Sequence, residues 1–189
     1  MNYCSHCGSA QLVLKVPEGD HLARFVCENC HTIHYQNPKI ITGCLPIWKD
    51  KILLCKRAIE PRYGLWTLPA GFMENNETIE QGATRETYEE ALAKVDKLHL
   101  YVMLSLPHIS QVYIMFRARL CDLNYAPGSE SLDVQLFSED EIPWKELAFH
   151  VIHQTLTHYF QDRVAEQFPV RVGDIIVPMV NGEWLMVNG

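Results

Sequence analysis

Gly71-Phe-Met-Glu-Asn-Asn-Glu-Thr-Ile-Glu-Gln-Gly-Ala-Thr-Arg-Glu-Thr-Tyr-Glu-Glu-Ala-Leu92 is the stretch around which the chain is organised. Its second half reads as a helix from about Thr78 to Leu92. Thr78 can cap the start, and Gln81, three residues on, can reach back to the cap N–H. Glu86, Glu89 and Glu90 then stand at i, i+3 and i+4, within an arc of about 100° at 3.6 residues per turn. Like charges at that spacing repel by roughly 0.2–0.5 kcal/mol per pair. A hard divalent cation such as Mg²⁺, which takes oxygen ligands, would turn this repulsion to use. A solvated acidic helix face is the competing reading of the three glutamates taken alone.

The 189 residues allow one ordinary domain and a small appendage, and 48% hydrophobic content suffices for a core. A formal charge of −7 argues against a phosphate-backbone binder and against an anionic membrane surface. No run of 18 apolar residues and no basic-then-apolar leader are present, so the expectation is a cytoplasmic protein without a membrane partner. Cys4-x-x-Cys7 and Cys27-x-x-Cys30, 19 residues apart, have the spacing of a zinc ribbon. Four thiolates close the coordination shell of Zn²⁺ and leave no position for catalysis, which makes the metal structural. Two disulfides are the alternative, and they require an oxidising compartment. His6 and His31 read as bystanders. Cys44, Cys55 and Cys121, each in an apolar context, read as small core residues.

Further along, Gln11–Val16 and Arg24–Val26 suggest a short hairpin, and Pro38 opens an extended run. Lys39–Ile47 and Ile52–Lys56 read as paired strands around Trp48-Lys49-Asp50-Lys51. Leu98–Leu106, Gln111–Leu120 and Leu132–Phe137 read as further strands, with Arg117 and Arg119 on one face of the second. Phe149 to about Ala165 reads as an amphipathic helix whose His150, His153 and His158 do not all share a face and are taken as structural. Asn181-Gly182 between apolar runs signals a hairpin in the tail. The domain expectation is therefore a zinc ribbon over 1–34, a main domain over 38–165, and a tail over 166–189. The apolar hairpin suggests a surface covered by a partner in a homodimer, with folding back on its own domain as the alternative.

Glycine, five residues, Glu77, seven residues, Arg85-Glu86, then Glu89-Glu90 resembles the signature of the Nudix hydrolases, as does the approach Gly64-Leu65-Trp66-Thr67-Leu68-Pro69-Ala70-Gly71. One position departs: Leu92 stands where that family normally has glycine. The resemblance implies an α/β fold, a mixed sheet sandwiched between helices, covering roughly 39–165. It implies hydrolysis of a nucleoside diphosphate linked to another group, with Mg²⁺ or Mn²⁺. By motif position, Glu86, Glu89 and Glu90 are the implied metal ligands, with the carbonyl of Ala70 or Gly71 as an addition. Arg85 is implied to pair with Glu77. Glu130 is the candidate for a further acid from a later loop, with Asp133 in reserve. Arg57, Arg62, Arg117 and Arg119 are candidates for diphosphate oxygens, with surface ion pairs as the alternative for each. Tyr63, Trp66 and Phe72 are candidates for stacking adenine or flavin, with core packing as the alternative for each.

A ribbon ahead of such a domain is also the order found in NADH pyrophosphatases, but their Trp-Pro-Phe-Pro array is missing after Ser110-Gln111. The words Tyr35-Gln36-Asn37-Pro38-Lys39, Ala126-Pro127-Gly128 with Glu130-Ser131-Leu132, and Asp140-Glu141-Ile142-Pro143 more closely resemble plant plastid Nudix enzymes acting on FAD and ADP-ribose. That resemblance implies a nucleotide-type substrate, FAD or ADP-ribose, releasing AMP. NADH is the alternative substrate, and a nucleotide-sensing protein that does not cleave is the rival from another class. Nucleic acid is not the implied partner.

Overall fold

The computed structural model describes residues 1–176, together with the backbone of two short strands beyond them, Met179–Val180 and Glu183–Trp184. Those two pair antiparallel. The Asn181-Gly182 turn expected between them lies outside the described residues. The chain divides into two compact units, Met1–Asn37 and Pro38–Gly189.

In the first unit, β1 (Leu12–Lys15), β2 (Arg24–Cys27) and β3 (Ile33–His34) form an antiparallel sheet in that order. Too few apolar residues are present to stabilise so small a sheet by burial alone, and the cysteines take up that role. The backbone turns sharply after each pair's first cysteine. Gly8 N–H donates to Cys4 O at 2.9 Å, and His31 N–H donates to Cys27 O at 2.8 Å. The four Sγ atoms consequently converge, all within 4.8 Å of one another. The Cys4–Cys30 and Cys7–Cys27 separations are both 3.6 Å. A tetrahedral Zn²⁺ with bonds of about 2.3 Å sets its sulfurs about 3.8 Å apart, so the donor set fits zinc. His6 and His31 stay outside the cluster.

The second unit is built on an eight-stranded mixed sheet. Its strands are β4 (Lys39–Trp48), β5 (Lys51–Arg57), β6 (Trp66–Thr67), β7 (Ala70–Phe72), β8 (Val95–Leu106), β9 (Gln111–Leu120), β10 (Ser131–Phe137) and β11 (Arg171–Asp174). The order is β10-β5-β4-β9-β8-β11, with β6 added to β5 and β7 to β4. The β4–β9 and β8–β11 pairs are parallel. Helices α1 (Ile79–Ala91) and α2 (His150–Ala165) cover the sheet. Strand alternation sorts side chains between two layers. Cys44, Ile114, Phe116 and Ala118 pack with Ala83 of α1, whereas Leu45, Tyr101 and Met115 pack with Ile152, Leu156 and Phe160 of α2. This is the α/β sandwich with a mixed sheet expected from the sequence.

Two expectations need correction. Cys44 and Cys55 are buried core residues, but Cys121 is exposed, since it lies just past the end of β9. Arg171–Asp174 does not belong to a separate tail. It extends the sheet in register with Val102–Ser105. Its anchor is polar and was invisible in the apolar pattern: Arg171 Nε donates to Asp162 Oδ2 at 3.0 Å, and Tyr101 OH donates to the same oxygen at 2.7 Å.

The ribbon generates a measurable expectation. Protein purified without added metal should carry about one zinc per chain by elemental analysis, and Cys27→Ser should lower that content and loosen the first unit. Reduced, folded protein free of zinc would contradict the assignment.

Candidate active site

Helix α1 starts where its sequence places it. Thr78 Oγ1 accepts from Gln81 N–H at 3.2 Å, and Gln81 Oε1 accepts from Thr78 N–H at 2.8 Å. Thr42 Oγ1 donates to Ile79 O at 2.8 Å and pins this end to β4. The apolar side of the helix, Ala83, Thr87 and Ala91, is buried, which fixes where its acids point. The helix ends at Leu92, the position of the sequence departure. Leu92 adopts the left-handed conformation (φ 49°), and its N–H donates to Tyr88 O at 2.8 Å. Leucine therefore fills the helix-terminating role usual for glycine, at the steric cost of a Cβ in the left-handed region.

The loop before β10 docks on this helix end. Ala126 N–H donates to Ala91 O and Gly128 N–H to Glu90 O, both at 2.9 Å. A Cβ on Gly128 would sit 1.7 Å from Glu89 O, so only glycine permits the approach. The docking carries Glu130 to the cavity that Glu86, Glu89 and Glu90 line.

Arg85 organises the acids. Its Nε and Nη2 donate to both oxygens of Glu77 at 3.0 and 2.9 Å, and Nη2 also reaches Phe72 O at 3.1 Å. Nη1 donates to Glu86 Oε1 at 2.8 Å and Glu89 Oε2 at 3.0 Å. The guanidinium holds the Glu77 carboxyl down to about 2, and the carboxylates in turn raise the arginine. Gly71 lies against Glu86, for a Cβ there would meet Glu86 Oε2 at 2.2 Å.

Glu90 is the unusual member. It is 7% exposed. The Ala70 backbone and the Arg57 charge favour its ionised form, yet Oε2 is buried with no hydrogen-bond partner. Burial, with the neighbouring Glu86 charge, pushes its carboxyl up to about 8. Burial also raises Glu86. An orphaned buried carboxylate oxygen beside three further acids is a hard-oxygen donor set, and it fits Mg²⁺ or Mn²⁺. Among the described residues only the four cysteines gather three or more ligand atoms at one point. The carboxylates are instead spread along a cavity of about 1270 Å³, with Glu86 and Glu89 turned to Arg85.

The other predicted residues divide. Arg57, Arg62, Gly71 and Phe72 line this cavity. Arg57 Nε donates to Pro61 O at 3.0 Å. Trp66 does not line it: it is 6% exposed in the core, edge-on to Phe137 at 4.9 Å. Tyr63 is exposed and away from the lining. Arg119 pairs with Asp96, and Arg117 lies 3.7 Å from the Phe168 ring centroid. Asp133 bonds to Gln135 and Val134 within β10. His150 and His153, read as structural, line the cavity together with Trp144 and Phe149. No local spacing signalled them, because a short 3-10 turn (Trp144–Glu146) and the first turn of α2 bring them there.

Comparison with known proteins agrees with this geometry. A profile described as "NUDIX domain" matches residues 38–160, and a zinc-ribbon profile described as "Nudix N-terminal" matches residues 2–36. The chain resembles a crystallised Nudix hydrolase from Nitrosomonas europaea, with 58% identity and a TM-score of 0.89 over 93% of this chain and 99% of that one. It is 27% identical to the NAD-capped RNA hydrolase NudC of Chromobacterium violaceum, over 82% of this chain and 57% of the relative. It is 30% identical to that of Photorhabdus laumondii, over 82% of this chain and 56% of the relative. The chain thus spans a little over half the length of these curated relatives. It shares its fold with an ADP-ribose pyrophosphatase from Streptococcus suis, at a TM-score of 0.57 and 23% identity over 72% of this chain and 99% of that one. The chain belongs to the Nudix hydrolase family, in the form that carries an N-terminal zinc ribbon.

The Glu90 environment has a consequence for stability. Between the ordinary carboxyl range and about 8, the folded chain retains a proton that the unfolded chain has released. Stability therefore falls as pH rises through that window. Glu90→Gln removes this penalty. Without added divalent cation, the variant's stability advantage in urea unfolding should grow by at least about 1 kcal/mol from pH 5 to pH 9. An advantage that does not change with pH would contradict the buried, uncompensated carboxylate.

Proposed function

We propose that this protein hydrolyses the diphosphate bridge of compounds in which adenosine diphosphate is linked to a second group, releasing AMP. The observation that carries the reading is the partnerless Glu90 oxygen, buried beside Glu86 in a cavity that Glu130, Arg57 and Arg62 also line. Glu86, Glu89, Glu90 and Glu130, with the Gly71 carbonyl, are the residues that would hold Mg²⁺ or Mn²⁺. When bound by them, the cation would supply neutralisation of the diphosphate and of the leaving phosphate. Arg85 keeps Glu86 and Glu89 in place and neutralises part of their repulsion before any ligand arrives. One carboxylate of this set can also take the proton of the attacking water. Arg57 and Arg62 offer cations to the outer phosphate oxygens.

The reading of the second group rests on the sequence resemblance and on the named relatives together. FAD and ADP-ribose are favoured by the sequence words around Gly71 and Gly128. The relatives named as NAD-capped RNA hydrolases add an NAD-type diphosphate to the candidates. All three present the same adenosine diphosphate to the acids.

A substrate panel with Mg²⁺ and product identification tests this. FAD should give AMP plus FMN, and ADP-ribose should give AMP plus ribose 5-phosphate. Glu86→Gln should lower kcat/KM by about 100-fold or more. Absence of AMP from FAD, ADP-ribose and NADH alike, or full activity in the variant, would overturn the proposal.

A further inference from the structure

The cavity reaches beyond its acids. Pockets for small ligands are typically about 300–1,000 Å³, and this one is about 1270 Å³. Its surplus is lined by a group of flat side chains with no part in the acidic cluster. Trp144 meets the His153 ring edge-on, with centroids 5.1 Å apart, and is braced from behind by Phe160 at 6.1 Å. Phe149, the residue before α2, lies under the Arg57 guanidinium, 5.1 Å from its ring centroid. Arg57 also acts electrostatically on Glu90. The aromatic group therefore begins at the cation that serves the acidic end, and one ligand can touch both.

His153 adds a polar preference. Thr157 Oγ1 donates its proton to His153 O at 2.9 Å, so its lone pairs face His153 Nδ1 at 3.4 Å. Nδ1 is then the protonated nitrogen, and Nε2 is left as an acceptor. A ring with an N–H at its edge satisfies that acceptor. Flavin and the nicotinamide carboxamide both have one, and ribose 5-phosphate has neither a flat face nor an edge N–H.

We infer that Trp144, Phe149 and His153 form the docking wall for a second planar ring, so that the site is built for dinucleotide diphosphates in preference to adenosine diphosphate sugars. The inference rests on the proposed hydrolysis and specifies the group on the far side of the bond. Stacking of one ring on an aromatic side chain changes affinity by roughly 5- to 150-fold on alanine substitution.

The test is kcat/KM for FAD, NADH and ADP-ribose in the full chain and in Trp144→Ala and His153→Ala. Trp144→Ala should lose about tenfold or more with FAD and NADH, chiefly through KM, and stay within about threefold with ADP-ribose. His153→Ala alters an exposed side chain and leaves the core untouched. It should show the same selectivity at a smaller loss, which covers the case in which Trp144→Ala fails to fold. Equal losses on all three substrates, or no loss on any, would overturn the wall. A second readout does not need turnover: FMN binding, followed by flavin fluorescence without divalent cation, should weaken in both variants. Unchanged FMN affinity overturns the inference even if hydrolysis proceeds. Wild-type protein that cleaves nothing but binds FMN through these residues would sink the hydrolase reading and leave the wall standing.

Discussion

The guanidinium of Arg85 is the constraint on which the catalytic half of the molecule depends. One planar cation holds both oxygens of Glu77, one oxygen each of Glu86 and Glu89, and the carbonyl of Phe72. Those contacts join the loop before α1, the helix itself and strand β7. Without them, three carboxylates on one helical arc would repel, and Glu86 would have no reason to press against Gly71. Lysine could not replace it, since a single ammonium lacks the fork that serves several acceptors at fixed angles.

The remaining geometry follows from the two ends of α1. The Thr78–Gln81 cap and the Thr42 bond fix the start. The left-handed Leu92 and the docking of Gly128 on Glu90 O fix the finish. The loop that carries Glu130 is therefore set by the same helix that carries Glu86, Glu89 and Glu90. The cysteine cluster and the carboxylates contrast in geometry. The thiols of the ribbon already gather at one point and close a shell. The carboxylates remain spread along an open cavity, which leaves room for the phosphates of the proposed substrate.

Much of this was legible in the sequence where the signal is local. The Thr78 cap, the acidic arc, the cysteine knuckles and the strand pairs β4–β5 and β8–β9 rest on fixed spacings over a few residues. What the sequence misplaced depends on long-range assembly. Trp66 was open to two readings, a ring platform or core packing, and strand pairing with Lys56 decides for the core. His150 and His153 looked structural, and a 3-10 turn followed by a helix start brings them to the cavity beside Trp144. Arg119 has an aspartate across the strand pair, a partner that no spacing within one strand can reveal. Strand β11 escaped notice because its docking rests on the Asp162 ion pair and not on an apolar alternation.

Glu90, with its buried and partnerless Oε2, is the residue on which the proposed divalent-cation site turns. Proton release on metal binding measures this directly, because a carboxyl must lose its proton to become a ligand. Mg²⁺ titrated calorimetrically at pH 7, in two buffers of different ionisation enthalpy, should release close to one proton per chain, and Glu90→Gln should release almost none. Mg²⁺ binding by the unmodified chain with no proton release, or release unchanged in the variant, would contradict the account.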